Sequence, residues 1–93
     1  MPYQFKEEES RIVVKDAQGN EAGEVTYSRA GDNILIIDHT GVEDDHRGQG
    51  LAAKLVFQVV EKAKKEHLKI MPLCPFAKSE FIKNPAYKEV QHH

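Results

Sequence analysis

Ile34-Leu35-Ile36-Ile37-Asp38-His39-Thr40-Gly41-Val42, and after it Arg47-Gly48-Gln49-Gly50-Leu51-Ala52-Ala53, is the stretch that decides the fold. Its first part is a continuous apolar run closed by polar residues, the pattern of a central strand buried on both faces. From Leu51 onward the apolar positions Leu51, Leu55, Val59 and Ala63 recur every four residues, with Val56 and Val60 beside them. That period predicts an amphipathic helix over roughly Gly48 to His67. Lys54, Gln58, Lys62 and Lys65 make its polar face, and lysines in the last turns suit the negative end of the helix dipole. A glycine-containing turn that opens a helix leaves backbone N–H groups unpaired around one spot, which favours an anion, most often a phosphate. Gly48 and Gly50 carry no side chain to keep a phosphate from the backbone, Arg47 offers charge-assisted hydrogen bonds, and Lys54 is close enough to help. The same two glycines also serve simply to close a strand-to-helix connection. The spacing is neither that of a Walker A loop, since no Gly-Lys-Ser/Thr follows, nor that of a dinucleotide fingerprint, which needs a third glycine.

Outward from this stretch, Arg11 to Lys15 is a short β-branched strand, and Gln18-Gly19-Asn20 supplies turn chemistry. Ala22 to Arg29 alternates, with Val25 and Tyr27 on one side and Glu24, Thr26 and Ser28 on the other, before Ala30-Gly31-Asp32-Asn33 turns the chain again. Three strands joined by short turns predict an antiparallel meander. Glu43 to His46 is acidic and unpatterned. Beyond the helix, Leu68 to Leu73 reads as a fourth strand kept short by Pro72, and Pro75 to about Lys83 as a second, shorter helix stopped at Asn84-Pro85. The fold class is therefore α/β, of the α+β kind. Glu7-Glu8-Glu9 reads as a solvated surface patch.

The chain of 93 residues is the size of a single domain, residues 1–93, with 40% hydrophobic and 30% charged residues and a formal net charge of −2. A domain this small has little spare apolar area for a closed site, so a ligand is expected in an open cleft. The lysines alternate with acids, which leaves no basic footprint for nucleic acid. No apolar run reaches the ~20 residues that cross a bilayer, and the first ten residues contain no signal-peptide core. A lone cysteine, Cys74, makes no internal disulfide. An intracellular, cytoplasmic protein is expected, as a monomer or weak dimer.

Read as R-x-x-G-x-A, Arg47 to Ala52 resembles the pyrophosphate-binding turn of the GNAT acetyltransferases. Two further blocks, Ile37-Asp38-His39-Thr40-Gly41-Val42 and Leu73-Cys74-Pro75-Phe76-Ala77-Lys78, stand in the matching order, and Arg11 to Val90 as a whole is similar to the compact subfamily that keeps little beyond the cofactor-binding half of that fold. The resemblance implies acetyl-CoA (coenzyme A) as cosubstrate, lying between two splayed strands. It places the pantetheine arm against backbone near Val42 and the pyrophosphate on amides of Gly48, Gln49, Gly50, Leu51, Ala52 and Ala53. It implies acetyl transfer to an amine or to a lysine of a protein or peptide; a module that binds CoA or acyl-CoA without turnover is the alternative. Longer GNAT enzymes carry extra N-terminal helices and C-terminal strands around the acceptor, and a chain of this length makes a shallow or shared acceptor cleft.

An amine with a free pKa near ~10.4 needs a base or a desolvated site before it attacks. His39, at the end of the central strand, is suited to that task by its ordinary pKa, and serves equally as a structural histidine bonded to nearby backbone. Cys74 precedes a helix, where a thiolate is stabilised, while free cysteine is also among the most buried residue types. In the similar small GNAT proteins this cysteine is considered an acetyl carrier, which makes a Cys-acetyl intermediate an expectation here. Tyr87 stands where many GNAT enzymes place the tyrosine that protonates the departing CoA thiolate, and reads equally as a packing residue. His46, His67, His92 and His93 have no metal-ligand spacing, and the last two read as a possible tag remnant.

Overall fold

In the computed structural model, which describes residues 3–92, the chain runs β1 (Gln4–Glu7), β2 (Arg11–Lys15), β3 (Glu21–Ala30), β4 (Ile34–Val42), a 3₁₀ turn (Asp44–His46), α1 (Leu51–Glu66), β5 (Lys69–Pro72), α2 (Pro75–Lys83) and a 3₁₀ segment (Pro85–Val90). His93 lies outside the described residues. The five strands form one sheet in sequence order, antiparallel from β1 to β4, with β5 parallel to β4. A parallel neighbour requires a crossover, and α1 provides it.

The expected meander is present as β2, β3 and β4, but the sheet has a further strand. Gln4 to Glu7 pairs with Lys15 to Ile12, although its sequence, Gln-Phe-Lys-Glu, carries one apolar residue. An edge strand held by backbone hydrogen bonds needs no apolar period, which is why patterning passed over it. The Glu7-Glu8-Glu9 patch is likewise partly structural: Glu7 pairs with Lys62 of α1, and Glu8 with Arg11 at 2.7 Å.

The run Ile34 to Ile37 is not buried on both faces. Leu35 and Ile37 are fully buried, whereas Ile34 and Ile36 are half-buried, because the helices cover the opposite face of the sheet. That covered face meets the apolar stripe of α1, where Leu51, Leu55, Val56, Val59, Val60 and Ala63 pack against Ile12, Val14, Val25, Tyr27, Leu35 and Ile37. Ala77 and Phe81 of α2 and Val90 of the last segment join the same cluster. The helix starts at Leu51 rather than Gly48, since Gly48 and Gly50 both have left-handed backbone (φ 85° and 72°). The strand expected over Leu68 to Leu73 is trimmed to Lys69–Pro72, and the acidic stretch before the glycine turn coils into the first 3₁₀ turn. No helix among the described residues is long and apolar enough to cross a membrane.

Candidate functional site

Two local features pull β4 and β5 apart. Pro72 has no N–H to continue the ladder, and the next two amides, Leu73 and Cys74, both donate to the carbonyl of Ile37 (3.1 and 3.2 Å) before Pro75 starts α2. On the other side, β4 carries a bulge: Tyr27 pairs with Ile37 and Thr26 with His39, which leaves Asp38 as the extra residue. A bulge bends its strand. Beyond Ile37, β4 therefore runs on beside β3 alone, and its other edge opens onto a cleft of about 570 Å³.

One wall of the cleft is Thr40, Gly41 and Val42 of β4. The glycine turn and first helical turn supply His46, Arg47, Gly48, Gly50, Leu51, Ala52 and Ala53, and α2 supplies Phe76 and Glu80. Gln49 does not line it. The first helical hydrogen bond runs from Lys54 N–H to Gly50 C=O at 3.1 Å, so the amides of Leu51, Ala52 and Ala53 have no partner within the helix. No side chain caps this end, and no acidic residue stands in its first turn. A Cβ at Gly48 or Gly50 would meet nothing within 4 Å, which leaves the approach to those amides open. The Arg47 side chain is 73% exposed and pairs loosely with Asp44 at 3.2 Å. Uncapped amides, helix dipole and an exposed guanidinium make this the anion-attracting end of the cleft.

The turn is held from behind. His46 Nδ1 lies 2.9 Å from the Tyr3 hydroxyl and Nε2 3.5 Å from Asp16 Oδ2, while Asp16 itself accepts from the Gln18 and Asn20 amides of the β2–β3 hairpin. His46 thus ties the segment before Arg47 to two other parts of the sheet, a role that no sequence spacing announces.

A family model described as GCN5-related N-acetyl-transferase matches residues 11–90. The chain belongs to this family. Among solved structures, the GCN5-related chain is similar to a GCN5-like protein from Staphylococcus aureus determined by NMR, at 37% identity over 98% of this chain and 89% of that one, with a TM-score of 0.79. It is also similar to the GNAT family N-acetyltransferase YhbS from Escherichia coli, solved in complex with CoA, at 25% identity over 68% of this chain (TM-score 0.61). Ribosomal-protein-alanine N-acetyltransferase from Brucella melitensis, at 22% identity over 89% of this chain (TM-score 0.62), shares the fold. This chain spans 38% and 63% of the length of those last two proteins. No curated protein matches it.

Of the residues singled out in the sequence, Val42, Arg47, Gly48, Gly50, Leu51, Ala52 and Ala53 come together around the GCN5-related cleft. Cys74 and His39 do not come together. Thr40 lies opposite Val25 on the covered face, and its Oγ1 is 3.8 Å from Cys74 Sγ. His39 lies opposite Thr26 on the other face, exposed, with its ring folded back over Gly41, where a Cβ would stand 2.9 Å from Nε2. It borders a second hollow with Glu21, Glu24 and Glu43, and this hollow shares Thr40 to Val42 and Arg47 with the main cleft. Cys74 is 7% exposed and is the N-cap residue of α2. Burial pushes its thiol up, but hydrogen bonding from the Ala77 amide, the Thr40 hydroxyl and the Phe76 amide outweighs burial and holds it below its ordinary value. Tyr87 packs edge-on against Phe81 at 5.3 Å; burial first, then the negative charge of Glu80, raises its hydroxyl pKa. Among the described residues no group of three or more His, Cys, Asp or Glu side chains is arranged to hold a metal.

Thr40, Gly41, His46, Phe76 and Glu80 are cleft residues to which the sequence assigns no role. Thr40, Gly41 and Phe76 stand inside the blocks that carry the resemblance, and Phe76 and Glu80 are four apart on α2, a spacing that puts them on one helix face once the helix is known.

Proposed function

We propose that this chain is an acetyl-CoA-dependent N-acetyltransferase acting on an amine, working as one cofactor-binding domain with acetyl-CoA in the cleft between β4 and β5. The observation that carries this reading is the row of unpartnered, uncapped amides from Leu51 to Ala53, open at Gly48 and Gly50 and flanked by Arg47. These groups suit a pyrophosphate, and the exposed edge of β4 up to Val42 offers backbone groups to an extended arm. Acetyl-CoA supplies a thioester: the acceptor nitrogen bonds to its carbonyl carbon, the C–S bond breaks, and the sulfur leaves as a thiolate that takes up a proton.

Cys74 does not itself line the cleft, but its depressed thiol lies directly behind the lining residue Thr40 and is the favoured reacting group of the chain. His39 stands on the other face of the strand, lining the second hollow that shares Thr40 to Val42 and Arg47 with the cleft, and is the candidate base for an acceptor arriving on that side. A second reading, a module that binds CoA or acyl-CoA without turnover, draws on the same uncapped amides, which binding alone would use.

Two measurements separate the possibilities. Free CoA at about 100 times its dissociation constant adds roughly 2.7 kcal/mol to stability, a shift of several degrees or more in Tm. No shift at millimolar CoA removes both readings. With binding established, acetyl loss from acetyl-CoA that depends on added amines or lysine peptides identifies the enzyme, and its absence across such a panel identifies the binding module.

A further inference from the structure

Glu80 is the one buried charged residue of the described chain, 7% exposed overall with a side chain 9% exposed, and it lines the cleft. A carboxylate so far removed from water is costly unless a cation or hydrogen-bond donors satisfy it. Among the described residues its nearest charged partner is Lys83 Nζ at 3.7 Å, beyond hydrogen-bonding distance, on a side chain that is itself 69% exposed. No hydrogen bond from the described residues reaches its oxygens, and each of them keeps some contact with solvent. With Phe76 one turn earlier on α2, it forms the wall facing the glycine turn.

The charges of the cleft are thus divided. Arg47 and the free amides of α1 attract an anion at one side, and Glu80 repels one at the other. A phosphate-bearing donor is repelled by a carboxylate on this wall, whereas an alkyl amine, which is an ammonium ion at neutral pH, brings a cation from inside the cleft to a carboxylate whose own partner, Lys83, is exposed and too distant to hydrogen-bond. Phe76 beside it offers an apolar and aromatic surface for the alkyl chain and for the charge.

We propose that Glu80 is the subsite for a positive charge on the acceptor, so that the acceptor is an alkyl diamine with one ammonium group held against this carboxylate while its other nitrogen, deprotonated, is the one acetylated. The proposal rests on the cleft being the acetyl-CoA site. Glu80 accordingly sets acceptor specificity. It selects cationic over neutral alkyl compounds and leaves the donor's phosphates to the opposite wall.

The test begins with CoA binding by the unaltered protein, which examines the cofactor reading alone. 1,4-Diaminobutane and its neutral counterpart 1,4-butanediol are then titrated calorimetrically into the CoA-saturated protein at pH 7.5 and low salt. The diamine is expected to bind and the diol to bind at least tenfold more weakly. Glu80→Gln, which keeps the shape and removes the charge, is expected to weaken diamine binding by about tenfold or more. Glu80→Asp, which keeps the charge, retains part of the preference and guards against a glutamine variant that folds poorly. A Glu80→Gln protein with native circular dichroism that loses less than tenfold, or a parent that does not distinguish diamine from diol, overturns the proposal even where CoA binds.

Discussion

Gly50 allows backbone strain and ligand access to be measured apart. It is the N-cap of α1 at φ 72°, and a Cβ built there meets no atom within 4 Å. In Gly50→Ala the cost to the free protein is therefore conformational, with no clash to add: about 1–2 kcal/mol for an L-residue held in left-handed backbone. For a domain of this size about 1 kcal/mol moves Tm by 4–8 °C, so Tm should fall by roughly 4–16 °C. Gly50→Asn should fall less, because asparagine tolerates that conformation. Ligand binding should not follow the same order. Either side chain projects into the space in front of the Leu51 to Ala53 amides, and loss of one hydrogen bond to a charged group is worth about 1.5–3 kcal/mol, a tenfold or greater loss of CoA affinity. At a CoA concentration about 100 times the parent's dissociation constant, the stabilisation should drop from about 2.7 to about 1.4 kcal/mol or less in both variants. Differential scanning fluorimetry with and without CoA reads both quantities. Variants that melt earlier yet bind CoA as the parent does would put the phosphates elsewhere, and an alanine variant with unchanged Tm would refute the left-handed cap.

Two further outcomes are expected. The rate of iodoacetamide modification of Cys74 should rise with pH through a midpoint below the ordinary thiol value of about 8.5, since the thiolate is the reacting form and its pKa is depressed; Thr40→Val should move the midpoint up, and bound CoA should slow the reaction. A midpoint at or above 8.5, or one indifferent to Thr40, would make Cys74 a core residue only. Lys62, half-buried with a side chain 9% exposed, pairs with Glu66 at 2.8 Å and with Glu7, and lies 5.9 Å from the centre of the Tyr27 ring. Burial pulls its amine down, but the bonds to Glu66 and Glu7 outweigh that and raise it, while its hydrogen bond lowers the Glu66 carboxyl. A raised cation stabilises below its unfolded pKa, and a lowered carboxylate above its own. The pair therefore contributes between about pH 4.3 and 10.4, and is lost as pH falls through the folded pKa of Glu66 or rises through that of Lys62. Because the carboxylates are 52% and 37% exposed, Lys62→Ala is expected to cost only about 1 kcal/mol, read as a Tm drop of about 4–8 °C at pH 7 that narrows as pH falls through the depressed pKa of Glu66.

What the sequence by itself determined is whatever depends on neighbours along the chain. The four-residue apolar period fixed α1, the Val25–Tyr27 alternation fixed the covered face of β3, and Pro75 and Asn84-Pro85 bounded α2. Gly48 and Gly50 between a strand and that helix announced a turn with unpartnered amides, and the family resemblance carried the expectation on to Ala53. The tertiary structure decided what depends on partners distant in sequence. Counting by twos from Ile37 would put His39 on the covered face; the bulge at Asp38, created by the register against β3, turns His39 outward and Thr40 in toward Cys74. β1 owes its place to backbone pairing with β2, and His46 owes its role to Tyr3 and Asp16, which approach it only once the sheet has formed. Glu80 reads as one more polar helix residue until α2 packs beside α1 and closes the cleft around its carboxylate. Side-chain periodicity is a local property of the backbone, whereas the face a residue presents after a bulge, and the water it loses, are set by whatever packs against it.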